Sequence, residues 1–323
     1  MQLALSYDDV LLIPRHSETS TSREASMSSE FIRGIVKMPF ANSPMDTLCG
    51  HGIMHELMMQ EFIITIPRFI DIEDQVLLAK QCGGFFSVGS INKHETTIDI
   101  AFANDIKLFL VDMAHGDTKT CIDTVKYLYK NGATVMAGNV ATADGYMRLY
   151  DAGAKYIRVG IGGGSACTTR RETGFGIPTL QSILWCANVK PEDSFLIADG
   201  GIETVGDIVK SFVAGADICM LGKMLASTSL ATGERKGDMI SYRGMSSKEV
   251  KDRAKCGGSV EGVSGYIKYT GETHDVIEDI KTKLATAMTY YGGCRTIDEL
   301  RRNVEMVQIT QSGLAESKHR MET

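Results

Sequence analysis

The chain has 323 residues, 43% of them hydrophobic, and a formal net charge of −6 at pH 7, which suits a soluble globular protein with one large domain or two ordinary ones. The negative charge and the lack of a dense Lys/Arg run exclude a typical nucleic-acid-binding surface, and no apolar stretch approaches the roughly 20 residues that cross a bilayer. Early acidic residues argue against a secretory signal, and the eight cysteines lie singly without zinc spacing, so we expect a cytoplasmic location and reduced thiols.

Short apolar runs recur along the chain, and amphipathic segments with helical spacing lie between them. This alternation predicts a parallel sheet that is buried on both faces. The predicted strands are residues 38–44, 62–67, 85–90, 108–113, 134–139, 156–161, 195–201 and 218–223. Eight such strands fit an α/β protein of the (β/α)8 TIM-barrel class, with an open doubly wound sheet as the alternative.

No Gly/Ser-rich or Pro-rich linker divides the chain, so we expect residues 1–323 to form a single barrel domain. Residues 244–275 follow the eighth predicted strand and combine weak periodicity with many polar residues. We interpret them as a short flap outside the barrel, of the kind that often acts as a lid. A C-terminal tail is predicted at about residues 305–323.

The ends of the predicted strands carry polar residues and glycines, at the barrel face where functional groups lie. These residues are Ser43, Met45, Asp46, Arg68, Asp112, Gly116, Gly138, Asn139, Asp199, Gly200, Gly201, Gly222 and Lys223. Helix capping accounts for single Asp or Asn residues but does not require the glycines. Glycines here allow backbone N–H groups to approach a phosphate, and a carboxylate such as Asp199 suits the hydroxyls of a ribose. The pattern therefore predicts a nucleoside monophosphate as ligand.

One cysteine lies in the glycine-rich stretch "VGIGGGSACTTRRETGFG" at residues 159–176. Such a loop can present the sulfur of Cys167 to a ligand and aim carbonyl groups at a monovalent cation. Nearby N–H groups and Arg170 favour the thiolate, which attacks electron-poor carbon such as C2 of a purine, and Thr168 and Thr169 could relay a proton. The other seven cysteines are interpreted as small buried residues.

These motifs resemble those of the IMP dehydrogenase / GMP reductase family over almost the whole chain. "SYDDVLLIP", "SPMDT", "VDMAHG", "AGNVAT", "GIGGGSACTTR", "IADGGI" and "YRGM" follow in the family's order, and "TIDELR" and "SGLAES" resemble its C-terminal segment. The resemblance implies a (β/α)8 barrel, usually a homotetramer, that acts on a purine nucleoside monophosphate with a nicotinamide cofactor.

The resemblance also implies roles for individual residues. The catalytic group comprises Cys167 as the nucleophile that bonds to C2, Thr169, Glu261, Asp112 and Arg68. The nucleotide-binding group comprises Ser43, Met45, Asn139, Ser165, Asp199, Gly200, Gly201, Gly222, Lys223, Tyr242, Gly244, Met245, Ser246, Glu261 and Gly262. The cofactor is expected near Asp112, Ala114, Gly160 and Gly162, and a monovalent cation, K+, at Gly162, Gly164 and Cys167.

Two reactions of the family share one thioimidate intermediate on the cysteine. The dehydrogenase oxidises IMP with NAD and then hydrolyses the intermediate to XMP, for which it uses an Arg-Tyr pair on a long flap. Here sixteen residues, Met245 to Val260, separate "YRG" from "EGVSG" without such a pair, and inserted CBS domains are absent. "TTRRETGFG" also resembles the reductase.

The prediction is therefore NADPH-dependent reductive deamination of GMP to IMP. "SPMDT", "EGVSGYIKYTG" and "TIDELR" resemble the dehydrogenase more. The alternatives are an IMP dehydrogenase without CBS domains, which would use NAD, and a catalytically altered nucleotide-binding relative. Lys223 stands where the family commonly has Gly or Ser, and Gly163 where Pro is usual. A cation at Lys223 beside the phosphate could tighten binding or alter the choice of nucleotide.

Overall fold

The computed structural model describes residues 2–32, 35–253 and 259–317. An N-terminal segment carries β1 (Val10–Leu12) and the hairpin β2 (Ser29–Ile32) and β3 (Ile35–Lys37). The barrel strands are β4 (Phe40–Asn42), β5 (Thr65–Ile66), β6 (Phe85–Val88), β7 (Leu108–Asp112), β8 (Thr134–Val140), β9 (Ala154–Val159), β10 (Phe195–Asp199) and β11 (Ile218–Leu221). The remaining strands are β12 (Arg235–Lys236), β13 (Met239–Arg243), β14 (Ser264–Lys268) and β15 (Met306–Gln308).

Helices follow the barrel strands in turn. They are α1 (His51–Met59), α2 (Ile72–Cys82), α3 (Ile91–Ala103), α4 (Lys119–Lys130), α5 (Ala143–Asp151), α6 (Thr169–Thr173), α7 (Thr179–Ala187), α8 (Val205–Val213), α9 (Lys223–Ala226), α10 (Lys248–Arg253), α11 (Thr273–Thr286), α12 (Ile297–Asn303) and α13 (Gln311–Glu316). Short 3-10 turns span Tyr7–Asp9, Ser22–Glu24 and Asp46–Leu48, and a π-helix spans Ala287–Tyr291. Among the described residues, none of these helices combines the length and apolar character needed to cross a membrane.

The eight strands form one parallel sheet in the order β4-β11-β10-β9-β8-β7-β6-β5. A parallel bridge between Ala41 and Ile63 joins its two ends. At this seam the side chain of Asn42 accepts from the Thr65 N–H at 2.9 Å and donates to the Thr65 carbonyl at 2.8 Å, which satisfies backbone groups that a full ladder would otherwise pair. The predicted TIM barrel is thus confirmed, and each of the eight predicted strands overlaps an observed one.

The interior of the barrel is layered because side chains along a strand alternate between its two faces. Leu110, Met136, Tyr156 and Ile197 belong to a buried apolar cluster inside the barrel, which Phe31 of the β2–β3 hairpin also joins. Intervening residues such as Val111 pack outward against the helices. Two residues further along each strand, toward its C-terminal end, lie the residues of the candidate site.

The segment after β11 leaves the barrel, as predicted, but it begins earlier than residue 244. β12, β13 and β14 form an antiparallel sheet, with Ser241 opposite Tyr266, and α10 lies between β13 and β14. The chain rejoins the outer layer at α11. Residues 254–258 of the predicted flap lie outside the described residues.

The predicted C-terminal tail contains β15 and α13. β15 pairs antiparallel with β1, with Leu11 opposite Val307, so the two terminal segments meet beside the barrel. Residues 318–323 lie outside the part of the chain that the structure describes.

Candidate active site

A layer of charged residues fills the C-terminal end of the barrel. Asp112, Arg158 and Asp199 each lie two residues beyond an apolar interior residue of the same strand, so they point inward. Arg158 donates through Nη1 to Asp112 Oδ1 at 2.7 Å and through Nη2 to Asp199 Oδ2 at 2.8 Å. Asn139 donates to the same Asp199 oxygen at 2.7 Å, and Arg68 Nε contacts Asp112 Oδ2 at 3.2 Å. The two carboxylates are therefore bridged by one shared cation, Arg158.

These contacts decide the charge state of the layer. Burial by itself would raise the pKa of the Asp112 carboxyl, but the charges of Arg158 and Arg68 outweigh it and hold the pKa below its ordinary value. Burial likewise disfavours the charged form of Arg158, yet Asp199 and Asp112 raise its pKa. Asp112 and Arg158 are thus both charged at neutral pH.

Glycine makes room for this network. Gly138 on β8 lies opposite both Asp112 and Arg158 in the sheet register. A Cβ atom at Gly138 would lie 2.6 Å from Cβ of Arg158, closer than any real contact allows. The absence of a side chain at Gly138 therefore leaves Arg158 the space that it occupies beside β8.

The loop after β9 brings the candidate nucleophile to the same end of the barrel. Gly160 and Gly162 have φ values of +143° and +80°, which residues with a side chain rarely adopt. A side chain at Gly160 would lie 2.0 Å from the Asp199 carbonyl oxygen, so this loop and the turn after β10 pack backbone to backbone. The Cys167 N–H then donates to the Gly164 carbonyl at 2.9 Å, which closes the turn that carries the thiol.

Three side chains form a chain of hydrogen bonds from the thiol. The Cys167 thiol donates to Thr169 Oγ1 at 3.2 Å, and Thr169 Oγ1 donates to Glu261 Oε2 at 2.8 Å. The backbone fixes the partners, because Thr168 N–H donates to the Glu261 carbonyl at 2.9 Å and Cys167 forms an antiparallel bridge with Gly262. The segment before β14 thus delivers a carboxylate to a loop almost a hundred residues away, and a proton can pass from sulfur to carboxylate through one hydroxyl.

The surroundings of Cys167 differ from those of the other described cysteines. Cys167 is exposed at the cavity, whereas Cys121, Cys186, Cys219 and Cys294 are buried, and Cys49 and Cys82 partly so. Burial raises the pKa of all six of these thiols, for example to about 12 at Cys121 and Cys186. The eighth, Cys256, lies outside the described residues.

The predicted partner Arg170 is placed differently. Its Nη2 donates to the Ile177 carbonyl at 2.6 Å, and its aliphatic part fills the space beside Gly162 and Gly176. In the described structure it therefore braces the loop, and the hydrogen-bond partner of the thiol is Thr169.

Residues that follow β4 and β11 meet a residue of β13 at the cavity. The Ser43 N–H donates to the Leu221 carbonyl at 3.0 Å, and Tyr242 donates through its hydroxyl to Met45 Sδ at 3.8 Å. A side chain at Gly222 would come within 3.1 Å of Ser43 Oγ and 3.5 Å of the Tyr242 hydroxyl. Gly222 therefore leaves open a space that is lined by the Ser43 hydroxyl, the Tyr242 hydroxyl and the Met45 sulfur.

A single cavity is lined by all the residues to which the family resemblance gives a role. Its lining includes Ser43, Met45, Arg68, Asp112, Ala114, Asn139, Gly160, Gly162, Gly164, Ser165, Cys167, Thr169, Asp199, Gly200, Gly201, Gly222, Lys223, Tyr242, Gly244, Met245, Ser246, Glu261 and Gly262. Arg158 also lines it and was missed, because in "YIRVGI" it reads as an ordinary strand residue. The signal in the sequence was its position: Arg158 lies two residues after Tyr156, so both side chains point to the same, inward face of β9.

Comparisons with known proteins agree on one family. A family model described as the IMP dehydrogenase / GMP reductase domain matches residues 4–320. The inosine-5'-monophosphate dehydrogenase of Halalkalibacterium halodurans is 40% identical over 275 residues, which cover 79% of this chain and 56% of the relative. The inosine-5'-monophosphate dehydrogenase of Cryptosporidium parvum is 30% identical over 383 aligned residues, which cover 97% of this chain and 94% of the relative. The chain thus spans about half the length of some curated relatives that it matches.

A solved structure shares the fold. A cysteine-to-alanine variant of GMP reductase from Trypanosoma brucei, in complex with guanosine 5'-monophosphate, superposes with a TM-score of 0.88 over 100% of this chain and 99% of that one. Because the two sequences are only 22% identical, this comparison shows a shared fold and no more.

Proposed function

Because the chain belongs to the IMP dehydrogenase / GMP reductase family, we propose that it acts as a GMP reductase, an oxidoreductase that converts GMP to IMP with NADPH. The observation that carries the proposal is the hydrogen-bonded chain from Cys167 through Thr169 to Glu261. It supplies an exposed nucleophile and a route for its proton within one cavity. The other residues of the cavity are then assigned by the part of a nucleotide that their chemistry suits.

The first half of the reaction uses only groups of this chain and the nucleotide. The sulfur of Cys167 bonds to C2 of GMP while its proton passes through Thr169 toward Glu261. The exocyclic amine then accepts that proton and leaves as ammonia, and C2 stays bound to sulfur as a thioimidate. Thr169 and Glu261 thus act as base for the thiol and as acid for the leaving amine.

The second half releases the product. C2 requires a hydride, which a reduced nicotinamide would supply when bound. The C2–S bond breaks, IMP leaves, and the Cys167 thiolate that is released takes up a proton from solvent through Glu261 and Thr169. Asp112 and Arg68 are proposed to line the nicotinamide side together with Ala114, Gly160 and Gly162. Both oxygens of Asp112 already accept hydrogen bonds from arginines, so this carboxylate offers a fixed charge rather than a mobile base.

The ribose and phosphate suit the turn after β10 and the start of α9. Asp199 Oδ2 accepts from Arg158 and Asn139, so we assign Oδ1 to the ribose hydroxyls. Gly200 and Gly201 have φ values of +95° and +78° and bring their N–H groups close to the cavity. The phosphate is assigned to this turn together with Ser43, Ser165, Gly222, Lys223 and Tyr242, and the base to Met45, Gly244, Met245, Ser246, Glu261 and Gly262.

A monovalent cation fits the same loop by the chemistry of its donors. Backbone carbonyl oxygens are the ligands that replace the hydration shell of K+ in proteins. The positive φ of Gly162 and the tight turn at Gly164 suit carbonyls that converge, so we assign K+ to the carbonyls of Gly162, Gly164 and Cys167. The cation would hold the loop in the conformation that presents the thiol.

The choice of reductase over dehydrogenase depends on water activation. Residues 245–260 contain no Arg-Tyr pair, so the thioimidate lacks the group that would turn water into a nucleophile, and hydride is the reactant that remains. IMP dehydrogenase is the second candidate, because the curated relatives carry that name. We propose a homotetramer in the cytoplasm with no nucleic-acid or membrane partner, and the single domain with residues 244–275 as its flap.

The test is the substitution Cys167→Ala, with Cys82→Ala as a matched control at a partly exposed thiol outside the cavity. We expect Cys167→Ala to abolish turnover of GMP with NADPH while the Kd for GMP stays within about threefold, and the control to keep both. Retained turnover in Cys167→Ala would contradict the covalent route. Binding without turnover in the unmodified protein would favour the catalytically altered relative.

A further inference from the structure

One acidic side chain lies where the proposed phosphate site would least favour it. Glu203 Oε1 accepts from Lys223 Nζ at 3.1 Å and from Ser165 Oγ at 3.2 Å. Both donors line the cavity and belong to the residues assigned above to the nucleotide. One carboxylate oxygen therefore holds two of the proposed phosphate ligands.

The backbone directs Glu203 to this position. It follows the turn of Gly200 and Gly201 and precedes the capping box in which Thr204 and Asp207 begin α8. The Glu203 N–H donates to Asp207 Oδ2 at 3.1 Å, which fixes the main chain at the mouth of the cavity. An exchange of partners at Glu203 therefore needs a rotation of its side chain and no movement of its main chain.

The contact is weak enough to exchange. The side chains of Lys223 and Glu203 are 38% and 51% exposed, and ion pairs at this exposure contribute little and are screened by salt. A phosphate monoester carries a larger negative charge than a carboxylate, about −1.5 to −2, and three acceptor oxygens. It is therefore the stronger partner for an ammonium and a hydroxyl.

A third donor faces the same place. Burial and the charges of Asp199 and Glu203 raise the pKa of Tyr242 to about 12. The phenol consequently stays protonated at neutral pH and can donate. Gly222 separates it from Ser43, so the donors surround an open space rather than one another.

We propose that Glu203 acts as an internal substitute for the 5'-phosphate: its carboxylate accepts from Lys223 and Ser165 and is displaced when a nucleotide binds. Lys223 then becomes the residue that discriminates a nucleoside 5'-monophosphate from its nucleoside, and Glu203 sets how tightly that phosphate is held. The proposal rests on the nucleotide assigned under the proposed function but not on which of the two reactions follows.

Binding measurements on two charge-neutral substitutions test the exchange. Glu203→Gln removes the competing charge, so we expect the Kd for GMP and for IMP to fall about fivefold to tenfold, while the Kd for guanosine changes less than twofold. Lys223→Gln is expected to raise the Kd for GMP about tenfold, again with little effect on guanosine, and to flatten its salt dependence. Isothermal titration calorimetry without cofactor measures each value.

The matched control is Glu278→Gln, which breaks a 3.0 Å ion pair with Lys281 on α11 whose glutamate is exposed to a similar extent as Glu203. It should leave every Kd unchanged. Unchanged guanosine binding also shows that each variant is folded. GMP affinity that falls or stays constant in Glu203→Gln, or an unchanged ratio of GMP to guanosine affinity in Lys223→Gln, would overturn the proposal.

The outcome is separable from that of the proposed function. If the protein turns over IMP with NAD instead of GMP with NADPH, the reductase assignment fails but the binding differences should persist. If the unmodified protein binds neither GMP nor IMP more tightly than the nucleosides, the phosphate exchange itself is wrong.

Discussion

Thr169 is the residue on which the proposed proton route depends most. Its hydroxyl is both the acceptor of the Cys167 thiol and a donor to Glu261, so no proton passes between sulfur and carboxylate without it. The neighbouring Thr168 contributes through its backbone, whose N–H donates to the Glu261 carbonyl. The two adjacent threonines therefore provide an internal comparison.

We predict that Thr169→Val lowers kcat by about 10²-fold to 10³-fold, since general acid–base groups contribute on that scale. The Kd for GMP should stay within about threefold, because valine keeps the shape of the side chain. Thr168→Val is the control and should retain most of the activity. Comparable kcat values for the two variants would argue against the relay.

Arg158 couples three strands of the barrel. It extends from β9 to Asp112 at the end of β7 and to Asp199 at the end of β10, across Gly138 on β8. A buried ion network of this kind is expensive to break from one side, because the partners are left as uncompensated charges. The same side chain thus fixes the geometry of the proposed ribose and nicotinamide sites.

We expect Arg158→Met to lower the free energy of unfolding by about 3–5 kcal/mol at pH 7, measured by urea denaturation. Arg148→Met breaks an exposed pair with Asp117 and should cost less than about 1 kcal/mol. Equal losses in the two variants would show that the buried network carries no special stability.

The pH dependence of this effect has a defined sign. The folded-state pKa of Asp112 lies below its ordinary value, so its stabilising contribution is complete above the unfolded pKa of about 3.9 and is lost as the pH falls through the folded value. The difference in unfolding free energy between the unmodified protein and Arg158→Met should therefore shrink below about pH 4. A difference that grows on acidification would contradict the assignment.

At the scale of the whole molecule, the sequence predicted the barrel well because its signals are local. Each apolar run that ends in polar residues predicts one β-strand. Eight such strands, with helices between them, predict the (β/α)8 class. The positions of Asp112 and Asp199 followed from the same rule, since strand ends meet at one face of a barrel.

What the sequence did not reveal depends on contacts between distant segments. Arg158 lies within an apolar run, and only the closed barrel shows that it faces two carboxylates. Glu203 carries no signal of its own in the sequence, yet the fold turns it toward Lys223. The excursion after β11 was expected from residue 244, but pairing of β12 with β13 places its start at Arg235, and such pairing leaves little trace in a short polar segment.

The most direct measurement follows absorbance at 340 nm with the purified protein and two substrate pairs, GMP with NADPH and IMP with NAD+, both in the presence of K+. Reductive deamination predicts a falling signal in the first, with one ammonia released per NADPH consumed, and no change in the second. A rising signal with IMP and NAD+ alone would mean that water is activated without an Arg-Tyr pair, and it would contradict the reductase assignment.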